Sequence, residues 1–402
     1  MDPRLKEIIE LDEAHYMNNF GKRTPVCFVS GQGSTLTDTA GKIYLDLIGG
    51  LAVNVLGHAH PRLTEAICRQ AGRLIHCSNL YYIENQALLA ERLTALSGMD
   101  RAFLCNSGAE ANEAAFKLAR GYFYKKGTPR PQIVSAVNSF HGRTLATVTA
   151  TGQPKYHQPF GPLPAGFVHV AFNDVSAIND TVDEQTCAVI LELIQGESGI
   201  YPATRDYVDA VVARCRETGA LLIVDEIQTG MGRTGRMFSY EHYGIRPDIV
   251  TVAKGLAGGL PVGACLATEE AASGFAPGDH GTTFGGGPLI CAGALAVLEE
   301  YEASGLVNAA AAKGDFFRAR LAECGAMSGA IAEVRGMGLM IGIQLHKPVA
   351  QQVKAVCLER GYLVNSVGTS VIRLLPPLIL SEDEIVRFCR DFAAILREVT
   401  IA

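Results

Sequence analysis

The middle of the chain, from about residue 100 to 267, alternates short apolar runs with segments of helical character. The runs cover 102–105, 133–137, 187–191, 221–224, 249–253 and 262–267. Each is apolar throughout instead of alternating with polar residues, which is typical of strands covered on both faces. Helices are predicted between them at 107–126 and 205–218, the second ended by Gly219. This pattern predicts an α/β domain with a mainly parallel sheet.

The two ends of the chain have a different character. Residues 24–48 are predicted to form short strands with turns, and 288–402 mix long helices with short strands. Within the latter, "PLICAGALAVL" at 288–298 predicts a buried helix. We expect both ends to combine into a second, smaller α+β domain. The expected division is 1–55, then a large domain at 56–289, then 290–402.

Charge and composition argue against several classes of partner. The net charge of −6 and the lack of a basic run argue against nucleic acid and anionic membranes. No apolar run approaches the roughly 18 residues that span a bilayer, and the charged N-terminus does not resemble a signal peptide. The 11 cysteines include no C-x-x-C pair. We therefore expect reduced thiols, no metal site and a cytoplasmic location.

The glycines of "LLIVDEIQTGMGRTGR" raise the question of a nucleotide site. Gly230, Gly232 and Gly235 match the spacing of a dinucleotide-binding loop. In such a loop the first glycine follows its strand almost directly, whereas five residues intervene here. The acid expected to bind the ribose, Asp248, precedes the next strand and so lies at the wrong edge of the sheet. A close-packed loop is the favoured interpretation, and an NAD-dependent dehydrogenase is a remote alternative.

Three polar groups stand at the carboxyl ends of predicted strands, where ligands of such sheets bind. Asp225 follows 221–224, Lys254 follows 249–253, and Ser107 begins an S-x-x-E helix cap. Each alone has an ordinary explanation, such as a surface lysine or a simple capped helix. Together they match pyridoxal phosphate, which needs a lysine for a Schiff base, a carboxylate for its ring nitrogen and a helix N-terminus for its phosphate.

The stretch 221–264 resembles the signature of class III, pyridoxal-phosphate-dependent aminotransferases. Further motifs follow in family order: "GLAVNVLGHAHP", "HCSNLYYIENQ", "CNSGAEANEAAFKLAR", "FHGRT", "HGTTFGGGPL" and "VIRLLPPL". The resemblance covers nearly the whole chain. It implies the fold type I of pyridoxal phosphate enzymes, with a seven-stranded, mainly parallel sheet in the large domain. It also implies a homodimer with shared active sites.

The resemblance assigns cofactor roles position by position. Lys254 corresponds to the lysine that holds the cofactor and carries the proton, Asp225 to the partner of the ring nitrogen, and Gln228 to the contact of the ring hydroxyl. The remaining cofactor contacts are Phe140, which stacks on the ring, Ser107, Gly108 and Ala109 at the phosphate, Glu226 and Ile227, and Thr283 from the other subunit. The family often has threonine at position 109.

Substrate recognition is expected to use arginines, because guanidinium groups bind carboxylates bidentately. The resemblance implies this role for Arg143 and Arg373. Glu197 would pair with one arginine and swing aside when 2-oxoglutarate or glutamate binds. Thr282 would reach the substrate region of the other subunit.

The motifs most resemble members that move the distal amino group of N-acetylornithine to 2-oxoglutarate, a step of arginine biosynthesis. Ornithine, succinylornithine, 4-aminobutyrate and succinyl-diaminopimelate are the alternative donors, and an aminomutase or a non-catalytic binding protein are further alternatives. The chain departs from the family at three positions that bear on the donor. Leu193 stands where the family usually has proline, Ser198 stands where the members that use N-acetylornithine usually have glycine, and Phe20 lies near a position often held by a substrate-contacting tyrosine.

Overall fold

The computed structural model describes residues 2–401. The strands are β1 Phe28–Gln32, β2 Thr35–Asp38, β3 Ile43–Asp46, β4 Arg101–Cys105, β5 Gln132–Ala136, β6 Phe167–Val170, β7 Thr186–Leu191, β8 Ile194–Gln195, β9 Tyr201–Pro202, β10 Leu221–Asp225, β11 Ile249–Val252, β12 Gly263–Ala267, β13 Ile331–Met337, β14 Met340–Leu345, β15 Tyr362–Leu363, β16 Asn365–Val367 and β17 Val371–Leu374. The helices are α1 Pro3–His15, α2 Gly49–Ala52, α3 Pro61–Ala71, α4 Glu84–Ser97, α5 Gly108–Lys125, α6 Leu145–Ala150, α7 Val175–Thr181, α8 Arg205–Thr218, α9 Glu269–Ala272, α10 Pro288–Ser304, α11 Leu306–Ser328, α12 Ala350–Glu359 and α13 Glu382–Ile401.

A seven-stranded sheet with the order β4-β12-β11-β10-β7-β5-β6 forms the centre of the molecule. Strand β12 runs antiparallel to β11 and β4, and the other neighbouring pairs are parallel. The predicted α/β class and mainly parallel sheet are therefore confirmed. All six predicted strands are present, but β6 was missed. Its sequence, "FVHV", lies at the sheet edge and is only partly buried, so it lacks a continuous apolar run.

The two predicted helices of this region have clear end signals. Ser107 Oγ accepts a hydrogen bond from the Glu110 backbone N–H at the start of α5 (3.2 Å). Gly219 ends α8 in a left-handed conformation with φ of 73°, which glycine adopts without steric cost. The sequence thus predicts both helices to within a residue because their ends depend on local chemistry.

The two chain ends form two smaller sheets, and they meet in one of them. Strand β15 pairs in parallel with β3 and so joins the N-terminal hairpins to the C-terminal part. Strands β13, β14, β17 and β16 form an antiparallel sheet, on which α11 packs, and α13 packs against α11. Helix α10 instead packs on α3 and α4. The division into 1–55, 56–289 and 290–402 stays a prediction.

The loop that carries the G-x-G-x-x-G spacing is close-packed and is followed by no α-helix. A Cβ on Gly232 would lie 2.8 Å from the Tyr301 ring on α10, and one on Gly235 would lie 2.8 Å from Ala311 on α11. Asp248 precedes β11, at the opposite edge from the loop. The interpretation as a packed loop is confirmed, because a dinucleotide has no room beside these glycines.

The cysteines and the helices supply two further observations on the class of protein. All eleven cysteines are free, and eight of them are buried, as expected for reduced thiols. Across residues 2–401, none of the helices combines the length and the apolar character that a bilayer span requires.

Candidate active site

A cavity of about 460 Å³ opens at the carboxyl ends of β10 and β11. It brings together ten of the predicted site residues, which come from distant parts of the chain. They are Ser107, Gly108, Ala109, Phe140, Arg143, Glu197, Asp225, Ile227, Gln228 and Lys254. The cavity therefore lies where ligands of open parallel sheets bind.

Asp225, the last residue of β10, is buried and held by three groups. Its Oδ2 accepts from Asn112 Nδ2 (2.9 Å) and lies 2.8 Å from His141 Nδ1, while Oδ1 accepts from the Ile227 N–H (3.0 Å). Asn112 is itself oriented by a hydrogen bond from Thr251 Oγ1 on the neighbouring strand (2.8 Å). The carboxylate is thus fixed in position before any ligand binds.

Lys254 follows β11 and has a left-handed backbone, with φ of 44°. Such a conformation is costly for a residue with a side chain and is typical of functional sites. Burial lowers the pKa of the lysine, although the charges of Glu197 and Asp225 oppose this effect. A buried amine of lowered pKa is a good nucleophile, because more of it is unprotonated at neutral pH.

The N-terminus of α5 provides a site for an anion. The first N–H groups of the helix, at Gly108 and Ala109, have no acceptor within the helix. A Cβ on Gly108 would lie 2.8 Å from Ile227 Cδ1, so only glycine fits between the helix and that side chain. This geometry suits a phosphate, which binds such N–H groups directly.

Two buried polar atoms test whether pyridoxal phosphate fits the cavity. Gln228 Oε1 and His141 Nε2 have no hydrogen-bond partner among residues 2–401. Buried polar atoms are rarely left unsatisfied, and Gln228 lines the cavity, where its oxygen suits a ring hydroxyl. With Asp225 for the ring nitrogen, Lys254 for the aldehyde and the α5 N-terminus for the phosphate, the residues fit the cofactor.

Arg373 on β17 is buried behind the cavity and is paired with Glu197. Its Nη1 donates to Glu197 Oε1 (2.7 Å) and to the Gly196 carbonyl (2.9 Å). Gln228 Nε2 also donates to Glu197 Oε1 (3.3 Å). Burial is the largest single influence and raises the pKa of Glu197, but the charge and hydrogen bond of Arg373, together with Lys254 and Gln228, lower the pKa below its ordinary value. The glutamate is therefore ionised and occupies the arginine on the cavity side.

Arg143 is in the opposite situation. Its guanidinium lies 3.9 Å from the ring centroid of Tyr156 and 5.5 Å from that of Phe140. It lines the cavity, is exposed, and forms no ion pair with any residue from 2 to 401. Stacking of this kind orients an arginine but leaves its N–H groups free. Arg143 is therefore a free guanidinium in the cavity lining, whereas Arg373, behind the cavity, is neutralised by Glu197.

Glu226, predicted as a cofactor contact, does not line the cavity. Its buried carboxylate accepts from Ser239 Oγ and Thr229 Oγ1, both at 2.6 Å, and from the Tyr240 N–H (3.1 Å). Successive residues at the end of a strand point to opposite sides, so Glu226 faces away from Asp225. The structure places it in the support of the following loop.

Thr282 and Thr283 also lie outside the cavity of their own chain. Thr282 Oγ1 accepts from Asn106 Nδ2 (3.0 Å), and Thr283 is exposed. Their predicted role in the site of a second subunit stays a prediction.

Glu192 is a cavity residue that the sequence analysis missed. It follows β7, and its Oε2 accepts from the Phe140 N–H (2.8 Å). Burial raises the pKa of this carboxyl to about 7. A signal was available, because Glu192 directly follows an apolar strand just as Asp225 does. Asn112 and Tyr156 were also missed, since nothing in their local sequence marks them.

A lysine and a carboxylate at the ends of neighbouring strands, facing a helix N-terminus, define a pyridoxal-phosphate-dependent enzyme of the α/β type. The chain belongs to the class III aminotransferases, since residues 16–396 match the family model described as aminotransferase class-III. Its fold, cofactor and reaction type, the transfer of an amino group, follow from this membership.

Curated and solved relatives agree with the family. The chain is 48% identical over 388 residues to an acetylornithine aminotransferase of Caldanaerobacter subterraneus subsp. tengcongensis, covering 96% of this chain and 98% of the relative. It also resembles the solved acetylornithine aminotransferase from Elizabethkingia anophelis (32% identity, TM-score 0.88, 99% of both chains). The ornithine aminotransferase from Toxoplasma gondii, solved with partial occupancy of PLP at its active site, has a TM-score of 0.94 at 30% identity and covers 99% of this chain and 95% of its own.

Proposed function

We propose that the enzyme moves the distal amino group of N-acetylornithine to 2-oxoglutarate. The products are N-acetylglutamate 5-semialdehyde and glutamate, and the reaction is a step of arginine biosynthesis in the cytoplasm. The observation that carries the proposal is the unequal pair of arginines, with Arg143 free and Arg373 covered by Glu197. The names of the relatives of about 48% identity support the donor.

The chain's own residues supply the proton transfer. Pyridoxal phosphate, when bound, provides an aldehyde that takes up the amino group and a ring that accepts the electron pair of the adjacent carbon. Lys254 Nζ would take the proton from that carbon and deliver it to the former aldehyde carbon of the bound cofactor, and its lowered pKa makes the neutral, basic form available. Asp225 keeps the ring nitrogen protonated, while His141 and Asn112 hold the Asp225 carboxylate in place.

The two arginines explain how one pocket accepts two kinds of substrate. Arg143 binds the α-carboxylate of the donor, and Glu197 cancels the charge of Arg373, so that only one carboxylate is required. 2-Oxoglutarate brings two carboxylates. Glu197 then leaves Arg373, and the freed guanidinium binds the second carboxylate bidentately. The enzyme thereby distinguishes its substrates by the number of carboxylates that each one carries.

We further propose a homodimer with shared sites. Leu80, Tyr81, Tyr82 and Phe284 are exposed, and an apolar surface of this kind is typical of an interface. Asn79 Nδ2 donates to the Thr282 carbonyl (3.0 Å), which places Thr282 and Thr283 beside this surface. Sedimentation of the wild type and of Tyr82→Asp tests the proposal. A monomeric wild type would contradict it.

Single-turnover reaction of the holoenzyme with a panel of amino donors tests the function. The visible absorption of the bound cofactor is expected to bleach fastest with N-acetylornithine. Ornithine, succinylornithine, 4-aminobutyrate and succinyl-diaminopimelate complete the panel. A preference of more than about tenfold for 4-aminobutyrate, equivalent to about 1.4 kcal/mol, would rule out the proposed donor. Borohydride treatment should abolish the visible absorption and leave the cofactor covalently attached to Lys254. A colourless protein that binds NADH would refute the enzyme class.

A further inference from the structure

Glu197 lies at the tip of a short hairpin formed by β8 and β9. The hairpin is closed by the Ile200 N–H, which donates to the Gln195 carbonyl (3.0 Å). Gly199 and Ile200 have φ of 122° and 62°. A left-handed conformation is costly for a β-branched residue such as Ile200. Contacts with the rest of the molecule, and not local preference, therefore hold the tip in this shape.

Two arginines of the C-terminal sheet hold the tip from one side. Arg373 Nη1 donates to the Gly196 carbonyl as well as to Glu197. Arg335 on β13 donates from Nε and Nη2 to the Gly199 carbonyl (3.0 and 2.8 Å) and from Nε to the Ile200 carbonyl (3.0 Å). The same Arg373 nitrogen binds backbone and carboxylate, so release of Glu197 disturbs the backbone of the tip.

Ser198 holds the tip from the other side. Its Oγ donates to Gln195 Oε1 (3.2 Å) and lies 3.4 Å from the Gln195 carbonyl. Gln195 Nε2 in turn donates to the Val137 carbonyl, next to β5 (2.9 Å). A glycine at this position would offer no hydroxyl and would allow a freer backbone. Ser198 thereby links the tip, through Gln195, to the large sheet.

We propose that Ser198 is a positioning residue that governs how readily Glu197 leaves Arg373, and so sets the affinity of the enzyme for dicarboxylates. The proposal rests on the function proposed above. Each bond that holds the tip lowers the population in which Arg373 is free, and the apparent affinity for a dicarboxylate falls by the same factor. The donor half-reaction keeps Glu197 on Arg373, so Ser198 leaves it unchanged.

The test measures the binding of glutarate, an unreactive dicarboxylate, to the holoenzyme by calorimetry. Ser198→Ala removes the hydroxyl and keeps the Cβ, and Ser198→Gly also frees the backbone. Loss of one hydrogen bond predicts a glutarate Kd about three- to tenfold lower in Ser198→Ala, and lower again in Ser198→Gly. The KM for 2-oxoglutarate should fall by the same factor, with the donor half-reaction rate unchanged. Ser176→Ala, which removes a hydroxyl bonded to Asp174 on the surface, is the matched control.

A double-mutant cycle separates this role from a merely structural one. In a Glu197→Gln background the ion pair is already weakened, and Ser198→Ala should change the glutarate Kd much less than in the wild type. Equal Kd values in the wild type and both Ser198 variants, or parallel changes in donor and acceptor KM, would overturn the proposal. The donor panel and the glutarate assay are independent, so a wrong donor and a wrong role for Ser198 give different results.

Discussion

The carboxyl ends and the amino ends of the central strands form two opposite edges of the sheet, the carboxyl edge and the amino edge. These edges carry similar residues in different surroundings. At the carboxyl edge, Asp225 is held by three groups and lines the same cavity as the partly buried Lys254. At the amino edge, Asp248 accepts one N–H, from Leu222 (2.7 Å), and burial raises its pKa. A second cavity of about 430 Å³ lies at that edge, and its basic lining residues are Lys126, Arg130, Arg216 and Arg246.

The charged side chains at the amino edge are bound by other groups of the protein, whereas those at the carboxyl edge face a cavity. Lys126 is exposed and pairs with Glu270 (3.1 Å), and Arg130 donates to the Thr218 carbonyl at the end of α8 (2.8 Å). These groups are satisfied by the fold. Lys254, in contrast, lines the cavity, and the burial of its amine lowers its pKa and costs stability. Substitutions at the carboxyl edge should therefore affect catalysis, and matched substitutions at the amino edge should not.

Lys254→Ala should have the largest effect on activity. Without the amine, nothing in the cavity moves the proton, and kcat should fall by roughly 10³-fold or more. The melting temperature should stay the same or rise, because a buried amine is removed. Lys126→Ala at the other edge should keep its kcat. Residual activity above about a tenth of the wild type would contradict the role of Lys254.

Asp225→Asn and Asp248→Asn form a pair that sharpens the comparison. Loss of the Asp225 charge should lower kcat by about 10²- to 10³-fold, because the ring nitrogen loses its anionic partner. Asp248→Asn keeps an acceptor for the Leu222 N–H and should react at the wild-type rate. Steady-state kinetics and cofactor absorption check both. Similar losses in the two variants would show that overall charge matters and position does not.

Arg143→Met should lower kcat/KM by about 10- to 100-fold for both the donor and 2-oxoglutarate, because each loses a charge-assisted pair of hydrogen bonds. Arg216→Met, which removes a guanidinium from the amino-edge cavity, should be silent. Measurement of both half-reactions decides the matter. A loss limited to one half-reaction would mean that Arg143 serves only one substrate.

Glu192→Gln should have the smallest effect, seen as a dependence of stability on pH. The raised pKa of Glu192 means that its protonated form stabilises the fold at low pH, and this contribution is lost as pH rises through about 7. Glutamine stays neutral at every pH. The melting temperature of the variant, measured relative to that of the wild type, should therefore be higher at about pH 8 than at about pH 5.

At the amino edge, Glu270→Gln should change the pH dependence of stability in the opposite direction. The hydrogen bond from Tyr122, followed by that from Lys126, lowers the pKa of Glu270, so its contribution is present at neutral pH and lost in acid. The variant should therefore be slightly less stable than the wild type at about pH 8, with the difference vanishing in acid. Parallel pH profiles for Glu192→Gln and Glu270→Gln would contradict the contrast.

The site was predictable where a residue's place depends on its own strand. Asp225 and Lys254 each follow an apolar run, and the carboxyl ends of parallel strands meet at one edge. Glu192 obeys the same rule and was overlooked. Glu226 was expected at the cofactor, but the alternation of side chains at the strand end turns it away. Asn112 was not predictable, because its role depends on α5 packing against β10 and β11.

The sequence by itself determined the class of sheet, the capped start of α5 and the chemistry of a lysine with an aspartate. These follow from apolar periodicity and end signals, which act over a few residues. Only the tertiary structure decided the strand order, the closure of the glycine loop against α10 and α11, and the pairing of Arg373 with Glu197. Such contacts join residues far apart in the chain, and their geometry is set by the packing of whole elements. No local pattern records it.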